Sequence, residues 1–235
     1  SSSYRVPWFY DEVAVAVLRQ FTRLKCSLMP YLYAAAWQAH EQGLPMLRAM
    51  ILEFPDDPAC DYLDRQYMLG DSLLVAPIFR SDHVVDYYLP AGRWTHFLSG
   101  EEVIGGSWRR ESYDFFSLPL WVRPNSIIAV GANDSRPDYD FAENVTFHLF
   151  HGDGDAAASI PTLQGQTAMT LHVHREGHTL YIQAEGTNKP WRLLLRGVRD
   201  VISVRGGVAV NNEQGTLVLP EEGNSQIVVE YKALF

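Results

Sequence analysis

The chain has 235 residues, of which 47% are hydrophobic and 20% are charged, and its formal net charge is −9. These values are typical of a globular protein of one or two domains and exclude an intrinsically disordered chain. The acidic balance argues against a nucleic-acid partner, and no polybasic run or long apolar segment indicates a membrane partner. Cys26 and Cys60 do not make a disulfide framework, so we expect a reduced pair in a cytoplasmic protein.

The first part of the chain has the periodicity of an α-helix. Asp11 is a candidate N-cap, and Gly43 is a candidate C-terminal cap. Pro30 interrupts the apolar stripe, which predicts either a kink or two helices that meet there. The stripe consists of residues at three- or four-residue spacing: Val13, Val17, Phe21, Leu24, Leu28 and Leu32.

A nearly continuous apolar run follows, over Pro45–Phe54, as expected for a strand of a parallel sheet that is buried on both faces. Pro55–Pro58 predicts a loop, and Ala59–Leu69 predicts a second helix that stops at Gly70. Helix, strand, loop and helix in this order form the repeat unit of an α/β fold. A single strand has no sheet to join, so either the chain is a fragment or another chain supplies the missing strands.

After Gly70 the pattern predicts short strands separated by turns, spaced as in β-sandwiches. A segment rich in Asp, Asn, Gly and Pro, Gly131–Asn144, predicts the joint between two small sandwiches. The candidate strands are Leu73–Pro77, Val84–Leu89, Arg93–Leu98, Ser126–Val130, Val145–Phe150, Met169–His174, Thr179–Ala184, Arg192–Arg196, Val201–Val204, Val208–Val210, Thr216–Leu219 and Ile227–Tyr231.

Several of these stretches, in the same order, resemble family 31 of the glycoside hydrolases, the α-glucosidase and α-xylosidase family. Asp56–Tyr67 and Arg136–Tyr139 look most like bacterial α-xylosidases, which remove xylose from xyloglucan-type oligosaccharides. The stretches that carry the family resemblance are Arg5–Trp8, Met29–Tyr33, Leu44–Asp57, Tyr67–Pro77, Tyr88–Trp94 and Leu118–Arg123.

The resemblance implies a mostly β chain, in which two C-terminal β-sandwich domains follow the last helix–strand–helix elements of a catalytic (β/α)8 barrel. The implied divisions are residues 1–70 for the incomplete barrel, 71–140 for the proximal sandwich and 141–235 for the distal sandwich. The Leu44–Asp57 stretch resembles the eighth barrel strand of the family.

The resemblance also implies a retaining mechanism with two carboxyl groups, for which we find no matching motif. We therefore expect no catalytic residue in this chain, no cofactor and no metal. The carboxylates are expected upstream of Ser1, in an N-terminal remainder that would be the partner of this chain, with an oligosaccharide as substrate. The isolated chain would then be inactive, and its sandwiches would buttress the barrel.

Barrel active sites lie at the C-terminal ends of the strands, which makes Glu53, Phe54, Asp56 and Asp57 candidates for the substrate rim. The competing interpretation is that Asp56 and Asp57 form a loop cap for the next helix. His148, His172 and His174 would make a three-histidine zinc site only if the fold brought them together, and no carboxylate or cysteine pattern supports one.

A second hypothesis from another class is a non-catalytic carbohydrate-binding or scaffold module. Aromatic side chains of the first sandwich would stack on sugars in that case, whereas such rings more often fill a core or a domain seam. These aromatics are Tyr87, Tyr88, Trp94, Phe97, Trp108, Tyr113, Phe115, Phe116 and Trp121.

Overall fold

The computed structural model describes residues 4–151, 154–186 and 188–232. Helix α1 spans Glu12–Ser27, and its predicted N-cap is confirmed because Asp11 accepts a hydrogen bond of 2.7 Å from the Ala14 N–H. Helix α2 spans Met29–Gln42, so the stripe is divided between two helices that meet beside Pro30. Pro30 lies in the first turn of α2, where its missing N–H costs no helical hydrogen bond.

The predicted end of the helical part is also confirmed. Gly43 takes a left-handed conformation with φ of 71°, and its N–H donates to the Ala39 carbonyl. No helix in the described part of the chain is both long and apolar enough to cross a membrane.

The segment that follows differs from the prediction. Only Leu47–Arg48 forms a strand, β1, and Met50–Glu53 forms a short helix, α3. The helix predicted over Ala59–Leu69 is wrong, because this stretch contains a 3-10 turn, Pro58–Cys60, and strand β2, Tyr67–Leu69. Strand β2 pairs antiparallel with β1, and so the structure does not show a parallel barrel strand among the residues it describes.

Gln66 provides the physical reason for the extended chain before β2. Its buried side-chain amide donates to the Tyr88 carbonyl at 2.7 Å and accepts from the Tyr88 N–H at 2.8 Å. These bonds satisfy the backbone N–H and carbonyl of Tyr88 and fix Gln66 at the start of the strand. This tertiary contact overrides the helical propensity of the segment.

A proximal β unit comprises a six-stranded sheet of order β1-β2-β3-β8-β5-β6 and the pair β4–β7. Large side chains of both sheets, Tyr87, Leu89, Trp94 and Trp121 among them, are buried between them. The strands beyond β2 are β3 Leu73–Val75, β4 Val84–Leu89, β5 Arg93–His96, β6 Glu102–Ile104, β7 Ser107–Ser112 and β8 Leu120–Val122.

A distal β unit has two five-stranded sheets, of order β16-β17-β14-β10-β9 and β11-β12-β13-β18-β15. Their inner faces share one apolar core, and the mostly β fold class is confirmed. The strands are β9 Ser126–Val130, β10 Val145–Phe150, β11 Ala156–Pro161, β12 Thr167–Glu176, β13 Thr179–Glu185, β14 Trp191–Arg196, β15 Val201–Arg205, β16 Gly207–Asn212, β17 Gly215–Pro220 and β18 Gln226–Tyr231.

Strand β9 joins the two units. It pairs antiparallel with β10 in the distal unit, where Ile127 and Ala129 enter the distal core. Ile128, on the opposite face of β9, packs instead in a cluster with Phe97 and Val122 of the proximal unit. Because alternate side chains of one strand enter two cores, the units share an apolar boundary.

Candidate functional site

The predicted rim segment begins with Glu53, which lies between two arginines. Its Oε1 accepts a hydrogen bond of 2.7 Å from Arg48 Nη1, and its Oε2 accepts one of 2.9 Å from Arg123 Nη1. Only 13% of the Glu53 side chain and 4% of the Arg48 side chain are exposed. A carboxylate that is mostly buried and bonded on both oxygens orients its neighbours, and it has little surface to offer a ligand.

The same arginines tie the rim segment to the helices and to the proximal sheet. Arg48 also donates to Gln38 of α2 at 2.7 Å, and Arg123 donates to the Asp71 carbonyl at 2.8 Å. The Arg123 guanidinium carbon lies 4.7 Å from the centre of the Phe54 ring, a cation–π contact. Phe54 is therefore held between this guanidinium and Trp94, whose ring centre is 6.1 Å away.

The two aspartates of the rim segment have different environments. Asp57 Oδ1 accepts from the Ala59 N–H at 3.1 Å, and its Oδ2 accepts from the Tyr88 hydroxyl at 3.0 Å. Asp57 thus caps the 3-10 turn, which is the loop-cap interpretation of this position. The Asp56 side chain is exposed and makes no hydrogen bond or ion pair within the described ranges. Of the four predicted rim residues, Asp56 is the one that is exposed and that has no hydrogen bond or ion pair with a described residue.

Cys60 lies directly behind the rim segment and is fully buried. Burial, together with the charges of Asp57 and Asp61, raises the pKa of the Cys60 thiol to about 11. The thiol stays protonated at neutral pH and is a poor nucleophile. Both cysteines are free and buried, as expected for a reduced pair.

A polar cluster that the sequence did not predict lies within the proximal unit. Glu111 Oε2 accepts from the hydroxyls of Tyr87 and Tyr113 at 2.5 and 2.6 Å, and Arg109 Nε donates to its Oε1 at 2.7 Å. Burial opposes ionisation, but these hydrogen bonds outweigh it and lower the pKa of Glu111. Trp121 completes the cluster by donating from Nε1 to the Tyr87 hydroxyl at 3.0 Å. The sequence signal that could have indicated this cluster is the spacing of Arg109, Glu111 and Tyr113, which places them on one face of a strand.

The three candidate zinc-binding histidines are not brought together. His148 is buried on β10 against Phe97, with ring centres 6.3 Å apart, whereas His172 and His174 are exposed on β12 in the other sheet. Among the residues with described positions, no group of three or more His, Cys, Asp or Glu side chains could hold a metal ion. His174 instead interacts with Asp155 and Glu176.

The aromatic side chains of the first sandwich divide into two groups. Tyr87, Tyr88, Trp94, Phe97 and Trp121 are buried, as expected for core and seam. Tyr113 is partly buried and belongs with them, whereas three others are exposed: Trp108 at 60%, Phe115 at 63% and Phe116 at 38%.

Two family models match the chain in succession, and their ranges follow the two β units. Residues 43–128 match the model described as "Glycosyl hydrolase family 31 C-terminal domain". Residues 140–231 match the model described as "Alpha-xylosidase YicI, C-terminal domain". The chain belongs to glycoside hydrolase family 31. The resemblance seen in the sequence motifs is thereby confirmed, and the last hundred residues, which the motifs covered only loosely, match the α-xylosidase model.

Curated relatives of family 31 agree with this assignment. The α-xylosidase XylQ of Lactiplantibacillus pentosus is 38% identical over 79% of this chain, which spans 25% of that protein. An α-xylosidase of Emericella nidulans is 37% identical over 71% of this chain, which spans 22% of that protein. The α-glucosidase 2 of Bacillus thermoamyloliquefaciens is 29% identical over 80% of this chain. The chain therefore covers about a quarter of the length of these three relatives.

Solved structures of family 31 enzymes share the fold. A dextranase of Flavobacterium johnsoniae complexed with glucose superposes with a TM-score of 0.85 at 22% identity, over 99% of this chain and 34% of its own. A cycloalternan-forming enzyme of Listeria monocytogenes in complex with a pentasaccharide substrate superposes with a TM-score of 0.84 at 23% identity, over 98% of this chain and 25% of its own. At these identities the superpositions establish the fold alone.

Proposed function

We propose that this chain acts within a retaining α-glycosidase, an α-xylosidase that releases terminal α-linked xylose from oligosaccharides. The observation that carries the proposal is the match of residues 140–231 to an α-xylosidase C-terminal model, supported by two α-xylosidases at 38% and 37% identity. An α-glucosidase is the second choice, because a relative with that activity is 29% identical. The buried free cysteines are consistent with a cytoplasmic enzyme.

In this proposal the catalytic carboxylates lie in an N-terminal remainder, and the chain buttresses the barrel that carries them. The segment before α1 supports this role, because it carries an apolar surface that is unusually exposed for a folded protein. Tyr4 is 82% exposed, Trp8 69%, Phe9 68% and Tyr10 69%. We propose that the N-terminal remainder covers this surface, that the first helices end the barrel, and that the proximal and distal β units are the two sandwiches. The strand pairing moves the expected divisions at residues 70 and 140, because β1 and β2 join the proximal sheet and β9 joins the distal one.

Turnover by the purified 235-residue chain is the first test. We expect no release of nitrophenol from p-nitrophenyl α-xyloside or α-glucoside by this chain alone, and turnover when the N-terminal remainder is joined to it. The ratio of the two turnover rates in the joined protein separates α-xylosidase from α-glucosidase. Release of nitrophenol by the isolated chain would falsify the missing-carboxylate part of the proposal.

We further propose that the rim segment meets the substrate through Asp56, while Glu53, Phe54 and Asp57 hold its backbone in place. The contacts of Glu53, Phe54 and Asp57 with Arg48, Arg123 and Tyr88 support this division of roles. In the joined protein we expect Asp56→Ala to raise KM several-fold with the melting temperature unchanged. Asp61→Ala, also at an exposed aspartate, is the matched control. Equal KM values for the two variants would remove Asp56 from the substrate rim.

A further inference from the structure

The outer face of the second distal sheet is a polar surface that the proposed catalysis does not use. Strand register places alternate side chains of neighbouring strands side by side on this face. One row across the strands is Ala157, His172, Gln183 and Gln226, and the next is Asp155, His174, Tyr181 and Val228. Apart from the partly buried Val228, all of these side chains belong to exposed residues.

A groove of about 660 Å³ runs between the two rows. It crosses β11, β12, β13 and β18, and at a strand spacing of about 4.8 Å these strands span roughly 14 Å. The small side chain of Ala157 leaves the β11 end of the groove open. The groove is therefore long and shallow, with space for a short linear ligand.

One wall of the groove is an aromatic pair that is held in position. His174 Nδ1 interacts with Asp155, and His174 Nε2 lies 3.3 Å from Glu176 Oε1. These hydrogen bonds raise the pKa of His174 and fix the orientation of its imidazole. The Tyr181 ring lies 6.2 Å from the His174 ring, tilted by 31°, and Tyr181 remains 41% exposed. The tyrosine thus presents an exposed and supported ring.

The chemistry of the groove selects among ligand classes. The amides of Gln183 and Gln226 and the imidazole of His172 donate and accept hydrogen bonds. The carboxylates of Asp155 and Glu176 disfavour the phosphates of nucleic acid, and Val228 offers too little apolar area for an apolar peptide. A row of polar side chains opposite an exposed aromatic ring fits a ligand with many hydroxyl groups and apolar C–H faces.

We propose that this groove binds a neutral oligosaccharide, stacked on Tyr181 and hydrogen-bonded to Gln183, Gln226 and His172. The choice of ligand rests on the proposed function, because the oligosaccharide is of the class that the enzyme would hydrolyse. It assigns a binding role to the distal sandwich, which otherwise acts as a buttress.

Titration calorimetry on the 235-residue chain, with a xyloglucan heptasaccharide as probe, tests the groove. We expect saturable binding that Tyr181→Ala weakens at least tenfold and that Tyr181→Phe retains, because the ring and not the hydroxyl carries the stacking. Tyr62→Ala is the matched control, since Tyr62 is 93% exposed and is not part of the groove. Ala157→Trp, a second variant, places a large side chain in the groove and should also weaken binding tenfold or more.

Absence of heat at millimolar heptasaccharide, or an equal loss in Tyr181→Ala and Tyr62→Ala, overturns the proposal. So does binding that Ala157→Trp leaves unchanged in a protein with the same melting temperature. Xyloside turnover by the joined protein is measured separately on the same variants. Turnover without any groove binding rejects this inference alone, whereas groove binding without turnover rejects the proposed catalysis alone.

Discussion

His148, which is buried, and Glu53, which is mostly buried, are ionisable residues with different partners. Both carboxylate oxygens of Glu53 accept hydrogen bonds, one from Arg48 and one from Arg123. His148 has no such partner: its Nδ1 lacks a hydrogen bond among the described residues, and the Arg196 charge is nearby. Burial and this positive charge lower the pKa of His148 to about 3. A neutral His148 is thus a condition for the folded state.

The His148 environment predicts loss of stability in mild acid. In the unfolded chain histidine has its ordinary pKa of about 6.5, and so between about pH 6.5 and 3 the unfolded state binds a proton that the folded state does not. Neutral His148 therefore leaves the unfolding free energy undiminished above about pH 6.5. By pH 5, protonation of this histidine in the unfolded state lowers the unfolding free energy by about 2 kcal/mol. We expect His148→Phe, which keeps an aromatic ring against Phe97, to reduce the fall in unfolding free energy between pH 7 and 5 by that amount.

Urea unfolding at the two pH values measures this effect. His40→Gln is the control, because the His40 side chain is 70% exposed. An identical pH dependence in His148→Phe and in the unmodified chain would show that His148 is solvated or protonated in the fold.

At the scale of elements, helix α2 is held against the distal unit by the turn that connects β11 and β12. The Tyr33 hydroxyl donates to the Leu163 carbonyl at 2.7 Å, and the Trp37 ring lies under Gly165. Gly165 has a φ of 84°, and a Cβ built on it would lie 1.9 Å from the Trp37 ring. Glycine is required here both by the backbone conformation and by the close approach of the indole.

Gly165→Ala should therefore cost more than an ordinary glycine substitution in a turn. Gly177→Ala is a matched control, because Gly177 also has a positive φ, 58°, but a Cβ there meets nothing within 4 Å. We expect Gly177→Ala to cost about 1 kcal/mol from backbone strain alone. Gly165→Ala should cost a further ~1–3 kcal/mol from overpacking against Trp37. Thermal unfolding of both variants gives the difference, and equal costs would mean that Trp37 moves away freely.

Elements of the chain were predictable where the signals are local. The cap at Asp11, the break beside Pro30 and the glycine end at Gly43 involve neighbouring residues, and all three are confirmed. Strand β11 was missed because Ala156–Ser159 lacks the β-branched and aromatic residues that mark a strand. It is a strand because it pairs with β12, whose partner residues lie across a turn.

For the whole molecule, the decisive contact is the one between the two β units. Arg196 of β14 is buried, and its Nη2 donates to the Phe97 carbonyl of the proximal unit at 3.1 Å. Its guanidinium carbon also lies 5.1 Å from the Phe150 ring centre and 6.0 Å from that of Phe97. Because this residue joins an apolar cluster shared by both units, we expect them to unfold together.

Arg196→Ala should separate the units. The substitution removes the donor to the Phe97 carbonyl and leaves a cavity at the boundary between the units. We expect it to lower the free energy of unfolding by about 2–4 kcal/mol. We expect one calorimetric transition for the unmodified chain. For the variant we expect either two transitions or one broad transition whose van't Hoff enthalpy is lower than its calorimetric enthalpy. Arg199→Ala is the control, since Arg199 bonds the Glu213 carbonyl within the distal unit. A single cooperative transition in Arg196→Ala would show that the apolar contacts alone couple the units.

The amino-acid sequence by itself determined the two capped helices, the mostly β remainder and the membership of family 31, since these depend on local spacing and on motifs in order. The candidate site was predictable only as a segment. Tertiary structure decided that Glu53 is bonded by Arg123, 70 positions away, and that Gln66 bonds the Tyr88 backbone. It also decided that, of the four predicted rim residues, Asp56 is exposed and without a bonded partner among the described residues. The physical reason is that burial and hydrogen-bond partners come from residues distant in the chain, whose approach no local pattern encodes.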